Sequence, residues 1–262
     1  MVTKIFPALV FFLSLTISSC ALQTNVVKSL ITVKNSFVKV ETLIKVKTCL
    51  SEDDSETCDP YATFSSGSGV VTFYKNRKAI LTAAHVCRTN KFGSVFGSVK
   101  EQDIALRVID RENKQFYVNV IKYDVDLDIC LMDAPDIIGP GVRISTKAPE
   151  YAERVYNVAA PLGIAEGNMV PVYEGFFFGE DSGRSFYSIP TIGGSSGSPI
   201  LNVRGELVGM IHSVHYRFHH ISLSVTHRDL WNFLSSPHNH TSKSQNMCLH
   251  SDSGRIQIEE PL

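Results

Sequence analysis

Helical periodicity is nearly missing from this 262-residue chain, which points away from helical architectures. An excess of one charge is missing too. Lys and Arg total 25 against 26 Asp and Glu, a formal net charge of -1, so an electrostatic nucleic-acid binder is excluded. No CxxC pair occurs, which argues against a zinc ribbon or related metal site. There is no internal repeat beyond a strand rhythm. Apolar residues make up 44% and charged residues 19%, so bulk disorder is excluded as well. The one long apolar run, "IFPALVFFLSLTI", is short for a membrane span and is interrupted by Pro7.

That run follows Lys4 and precedes the small residues of "SSCA", so residues 1–20 read as a secretory signal. "ISSC" also fits loosely a lipobox, which would leave a lipidated Cys20 as a membrane anchor. Plain cleavage near Cys20 or Ala21 is the alternative. Either way the mature chain is expected to be exported, secreted or periplasmic. Of six cysteines, five then remain, an odd number. Cys49 and Cys58 flank the polar loop "LSEDDSET" and are the expected disulfide, in keeping with an oxidising compartment. The pairing of Cys87, Cys130 and Cys248 stays open.

What fills the chain is short β-rich runs between turn signals. The first set comprises "SFVKVETLIKVKT", "VVTFY", "KAILTAA", "DIALRVI", "FYVNVIKY" and "DICLMDA". After "APDIIGPG" come "RVYNVAA", "MVPVYEGFFFG", "RSFYSI", "SPILN", "ELVGMIHSV" and "HISLSV". Only "THRDLWNFL" reads as a helix, with Thr226 as N-cap and Leu230, Phe233 and Leu234 on one side. The expected fold is all-β: two six-stranded antiparallel β-barrels, residues 35–135 and 140–235, with a short C-terminal helix and a polar tail over 236–262. A pair of β-sandwiches is the structural alternative.

Serines crowd two glycine-rich stretches, "SSGSG" at Ser65–Gly69 and "IGGSSGSPI" at Ile192–Ile200. A serine hydroxyl attacks a carbonyl only when a base takes its proton and N–H donors meet the oxyanion. Glycines around a serine allow the tight turn that presents such donors. Candidate partners exist. His85 follows an apolar strand in "ILTAAHVC", and Asp128 heads the apolar "ICLM", where a carboxylate is costly unless paired. Asp126, two positions earlier, competes for the carboxylate role. Each residue alone is more often structural, but the order His, Asp, Ser is one of the known triad orders.

"TAAHVC", "DICLM" and "GSSGSPI" resemble the signature blocks of chymotrypsin-like serine proteases, in the manner of the bacterial and viral branches such as the HtrA and glutamyl endopeptidase groups. The resemblance covers roughly residues 35–235. It implies a trypsin-like double barrel with its site in the cleft. Ser196 would be the nucleophile, His85 the general base and Asp128 its orienting carboxylate. The N–H groups of Gly194 and Ser196 would form the oxyanion hole, with Ser195 and Ser198 structural. "SSGSG" would belong to the strand leading toward His85, across the cleft from the nucleophile. Zymogen activation by a freed N-terminus is not expected, since Ser195 stands where trypsin-type enzymes carry the capturing aspartate and no "IVGG"-like start occurs. The short tail leaves no room for a peptide-binding domain of the HtrA kind.

The same resemblance nominates Thr191, His212, Ser213 and Val214 for substrate binding. His212 lies one position late for a pocket histidine of the glutamate-preferring relatives. Without a bulge it points to the opposite face. Aligned without a gap, it instead falls where relatives support the catalytic aspartate. Ser213–His215 would pair with substrate backbone as an added strand. The histidines of "HSVHYRFHH" read as a hairpin rather than a metal site. The resulting expectation is a serine endopeptidase with a polypeptide substrate, no cofactor and no metal. A non-catalytic binding protein on the same scaffold is the alternative, and a metal-binding exported protein built on the His cluster a third.

Overall fold

A computed structural model describes residues 30–45, 61–88, 104–136, 138–165 and 169–237. The signal segment with Cys20, the expected Cys49–Cys58 bridge, Cys248 and the tail beyond residue 237 lie outside the described residues.

The first seven strands are β1 (Phe37–Lys45), β2 (Tyr61–Tyr74), β3 (Arg77–Ala83), β4 (Ile104–Asp110), β5 (Gln115–Val118), β6 (Val120–Asp124) and β7 (Ile129–Asp133). They form one antiparallel sheet in the order β5-β4-β1-β2-β3-β7-β6. Only Asn119 separates β5 from β6, yet these two strands lie at opposite edges. The sheet is therefore curled until its edges meet at Asn119. The expected six-stranded closed barrel becomes a curled sheet of seven, because "FYVNVIKY" divides into two strands. Asn119 marks the division: its N–H and side-chain amide reach the two carboxylate oxygens of Asp133 at 2.7 and 3.1 Å.

The second set is a closed antiparallel barrel in the order β10-β13-β12-β11-β8-β9. Its strands are β8 (Arg154–Val158), β9 (Val172–Asp181), β10 (Arg184–Tyr187), β11 (Pro199–Leu201), β12 (Leu207–His215) and β13 (Phe218–Val225). The segment between the two sets is stitched to both. Val142 N–H donates to Val71 O, and Leu207 N–H to Arg143 O.

One apolar core runs through both halves. Val38, Val70, Leu81 and Leu131 of the first sheet share it with Val158, Leu207 and Met210 of the barrel. Each large side chain buried this way stabilises by roughly 1.5–3 kcal/mol, and the shared core holds the two halves in one arrangement. Helix α2 (His227–Ser235) closes it with Leu230, Phe233 and Leu234. Thr226 is its N-cap as expected, accepting from Asp229 N–H at 3.1 Å. At the other end Lys122 is buried beneath the helix. Its ammonium donates to Phe233 O and Ser236 O and lies over the Tyr74 and Phe233 rings. Burial, helped by Lys75, pulls its pKa down to about 8. Among the described residues no helix is long and apolar enough to cross a membrane.

Candidate active site

His85 sits on a single helical turn, α1 (Ala84–Cys87), that directly continues β3. The first N–H groups of such a turn have no partner within it, and no side chain of its own N-cap serves them. Asp128 supplies the acceptors instead. Ala84 N–H donates to Asp128 O at 3.1 Å and His85 N–H to Asp128 Oδ1 at 2.8 Å. The other carboxylate oxygen, Oδ2, lies 2.6 Å from His85 Nδ1. One aspartate thus anchors both the backbone and the ring of His85. Thr42 Oγ1 adds a 2.7 Å hydrogen bond to Val86 O.

The register Ala83↔Ile129 between β3 and β7 brings these residues together. Asp128 itself has φ 53°, a left-handed conformation unusual for a non-glycine residue. Its turn is braced by Asp124, whose Oδ1 accepts from Asp126 N–H at 2.9 Å and Leu127 N–H at 3.0 Å. Asp126 belongs to this brace through its N–H, and the hydrogen bonds of His85 go to Asp128. Two residues beyond each partner, Cys87 and Cys130 form a fully buried disulfide across a separation of 43 residues.

Ser196 stands just before β11 and close to the end of β3: a Cβ on its neighbour Gly197 would lie 2.9 Å from Ala83 N. Ser195 N–H donates to Ile192 O at 3.0 Å, closing a turn whose third residue, Gly194, has φ +90°. A Cβ there would stand 2.4 Å from Ala160 O, so glycine is required for both conformation and space. The N–H groups of Gly194 and Ser196 find no acceptor among the described residues. Ser196 Oγ and His85 Nε2 are likewise buried without a hydrogen-bond partner. Ser198 Oγ accepts from Asn157 Nδ2 at 2.8 Å, whereas Ser195 Oγ is buried and unpartnered.

The sequence placed "SSGSG" across the cleft. It does lie on the strand leading toward His85, the 14-residue β2, but there it grips the Ser196 turn directly. Ser68 N–H donates to Ser196 O at 2.7 Å, and Ser68 Oγ donates to Gly194 O at 2.8 Å. The same hydroxyl accepts from Ala160 N–H at 2.9 Å. Gly67 has Val86 on one side and Ser196 O on the other, with no room for a Cβ. The sequence signal for this clamp is the repeat of the Gly/Ser pattern at residues 65–69 and 193–198, which carries no information on what each copy faces.

His212 falls at a register shift between Ile211 and Ser213 in the pairing of β12 with β13. It lines a cleft of about 510 Å³ together with His85, Asp128, Arg184 and Ser213. Burial lowers its pKa to about 4; the nearby Asp128 opposes that shift, while Arg184 and His85 reinforce it. Thr191 is not brought to this cleft's lining. It is buried, donating its N–H to His219 O at 2.9 Å and its hydroxyl to Ile189 O at 3.2 Å. Ser213 and Val214 are buried and, among the described strands, pair with β13 alone, because the ladder of β12 with β11 ends at the Pro199↔Met210 pair. His219 and His220 are exposed on the hairpin, and His215 is half-buried.

The family model described as a trypsin-like peptidase domain matches residues 67–210, more than half of the chain. Among curated proteins none matches the sequence. Solved structures do match. A serine endoprotease from Yersinia pestis superposes with a TM-score of 0.59 at 15% identity, covering 79% of this chain and 64% of that one. An M. tuberculosis protease in its active form gives 0.55 at 16%, covering 78% and 81%. This chain thus spans just under two thirds of the Yersinia protein, and at such identities the likeness is one of fold. With the curled sheet, the closed barrel and the matched domain in agreement, the chain belongs to the trypsin-like peptidase family.

Proposed function

We propose that this protein is an exported serine endopeptidase that acts through an acyl-enzyme on Ser196. The observation that carries the reading is the 2.6 Å contact of His85 Nδ1 with Asp128 Oδ2, which leaves His85 Nε2 free of any other partner. Asp128 keeps the proton on Nδ1, so Nε2 is the basic nitrogen. It takes the hydroxyl proton as Ser196 Oγ bonds to the substrate carbonyl carbon. The oxyanion of the tetrahedral intermediate accepts from the unengaged N–H groups of Gly194 and Ser196, each worth roughly 3 kcal/mol of barrier. The C–N bond then breaks, and His85 passes the proton to the departing amine. Water, deprotonated in turn by His85, hydrolyses the ester and restores Ser196.

Substrate backbone adds as a strand along Ser213–His215, the stretch of β12 that extends past the end of β11. His212 lines the same cleft as Asp128 and feels its charge, which supports a place for it beside the catalytic carboxylate. Export is supported by the buried Cys87–Cys130 bridge, since structural disulfides persist in oxidising compartments.

A fluorophosphonate probe tests the proposal. Wild-type protein should be labelled at Ser196, and Ser196→Ala should not react. Unlabelled wild type, or equal labelling of the variant, would favour a non-catalytic binding protein on this scaffold.

A further inference from the structure

Leu162 is a side chain that the fold gives no reason to keep. It sits in the single turn Pro161–Gly163 that follows β8, at φ 52° and ψ 25°. Seven non-glycine residues among those described have a positive φ, and Leu162 is the one large apolar side chain in the set. In this conformation a Cβ crowds the following carbonyl, a strain that glycine escapes and that Asn or Asp offset with local hydrogen bonds. Burial does not offset it here, since Leu162 is 69% exposed. Its N–H is used, donating to Gly193 O at 2.7 Å, but glycine would supply the same donor. Conformation and packing both disfavour leucine at this position, which leaves a role for the side chain outside the fold.

The turn stands against the proposed oxyanion donors. Gly193 O and Gly194 N–H belong to one planar peptide unit, so the bond from Leu162 N–H fixes the peptide whose N–H meets the oxyanion. A Cβ on Gly194 would lie 2.9 Å from Leu162 N. One peptide width therefore separates Leu162 from the place of the scissile carbonyl. An extended substrate advances roughly 3.3–3.6 Å per residue and crosses that width within about three residues. Two more exposed apolar side chains flank the same spot. Ile164 closes the turn, its N–H donating to Pro161 O at 2.8 Å, and is 46% exposed. Ile192, joined to Gly193, is equally exposed at 46%. Single exposed apolar residues are ordinary on a protein surface. Three grouped around one hydrogen bond at a reactive turn offer a surface for an apolar ligand.

We propose that Leu162 is a specificity-determining residue that, with Ile164 and Ile192, binds a large apolar side chain of the substrate within about three residues of the scissile bond. The proposal rests on the endopeptidase reading above. Contact with the substrate removes from water apolar surface that the free protein leaves exposed. The contact is open on one side, so the preference is moderate: covering part of one leucine corresponds to roughly a three- to tenfold gain. Because the gain is apolar in origin, sodium sulfate should not weaken it.

The test uses wild-type protein and quenched peptides that carry Leu or Ser, one position at a time, on either side of one cleaved bond. The expected result is a position near that bond at which kcat/KM for Leu exceeds that for Ser by roughly three- to tenfold. Leu162→Gly should bring that ratio close to one with no fall in the thermal transition, since glycine takes this φ without strain. Leu162→Met should keep the preference. Equal cleavage of the Leu and Ser peptides at every position by wild type overturns the proposal. So does a Leu preference that Leu162→Gly leaves unchanged throughout. A lowered thermal transition in Leu162→Gly overturns it as well, by assigning the side chain to the fold. Labelling of wild type by the fluorophosphonate separates the two readings: labelled protein whose cleavage ignores Leu162 refutes only this role, while unlabelled protein refutes the endopeptidase itself.

Discussion

Replacing Cys87 and Cys130 together with alanine should remove about 4 kcal/mol of folding stability. The bridge closes a stretch of 43 residues. For a loop of that length, the chain entropy withheld from the unfolded state is roughly 13 cal/mol/K, or about 4 kcal/mol at 25 °C. Both sulfurs are fully buried, so the space they vacate adds a cost of the same sign. For a domain of this size each kcal/mol shifts the thermal midpoint by roughly 2–4 °C, giving an expected fall of roughly 8–16 °C. The native arrangement should still form, because Asp128 and Thr42 continue to hold the His85 turn by hydrogen bonds. Thermal unfolding followed by circular dichroism, with a urea titration at 25 °C as a second measure, reads the effect. A loss below about 1 kcal/mol would refute the reasoning, since no constraint on a 43-residue loop is that weak on the entropy argument.

Ser68→Ala leaves Gly194 O without its donor and Ala160 N–H without its acceptor. We expect a cost of about 2 kcal/mol or more, with kcat falling more than KM rises; steady-state kinetics that match wild type would remove Ser68 from the clamp. Gly197→Ala should fail outright, because its Cβ would stand 2.1 Å from Ser68 O at a φ of +85°. Soluble protein with a wild-type melt would contradict that clash. His212 governs part of the acid sensitivity. Below pH of about 4 its folded and unfolded forms both hold the proton, and above about 6.5 neither does. Between them the unfolded chain binds more protons, so stability rises with pH across this window, by up to about 3 kcal/mol. Urea titrations over that range should show His212→Asn with a flatter rise; identical slopes would count against a buried neutral imidazole.

The strands were readable in advance because side-chain alternation and turn residues are local properties. "ELVGMIHSV" and "HISLSV" became β12 and β13 nearly to the residue. Thr226 was equally readable as an N-cap, since its hydroxyl serves an N–H only three residues away. His85, Asp128 and Ser196 could be nominated from their flanking residues and their order. The apolar "ICLM" directly after Asp128 favoured it over Asp126, but the local pattern carried no physical reason for the choice. The distinction lies in a turn that gives Asp128 a positive φ and points its carboxylate at His85, while Asp126 contributes only a backbone donor.

Composition and local pattern were therefore enough for an all-β chain with a glycine-bounded serine turn and a capped last helix. They could not decide where distant segments meet. The bend at Asn119 turned an expected strand into two edges of one curled sheet. Thr82↔Cys130 pairing brought Cys87 and Cys130 together. A register shift in β12 falls at His212, which lines one cleft with Asp128. Each outcome depends on the register between strands tens of residues apart in the chain. Register follows from the packing of the shared core as a whole, and a shift of one residue would turn every one of these side chains to the other face.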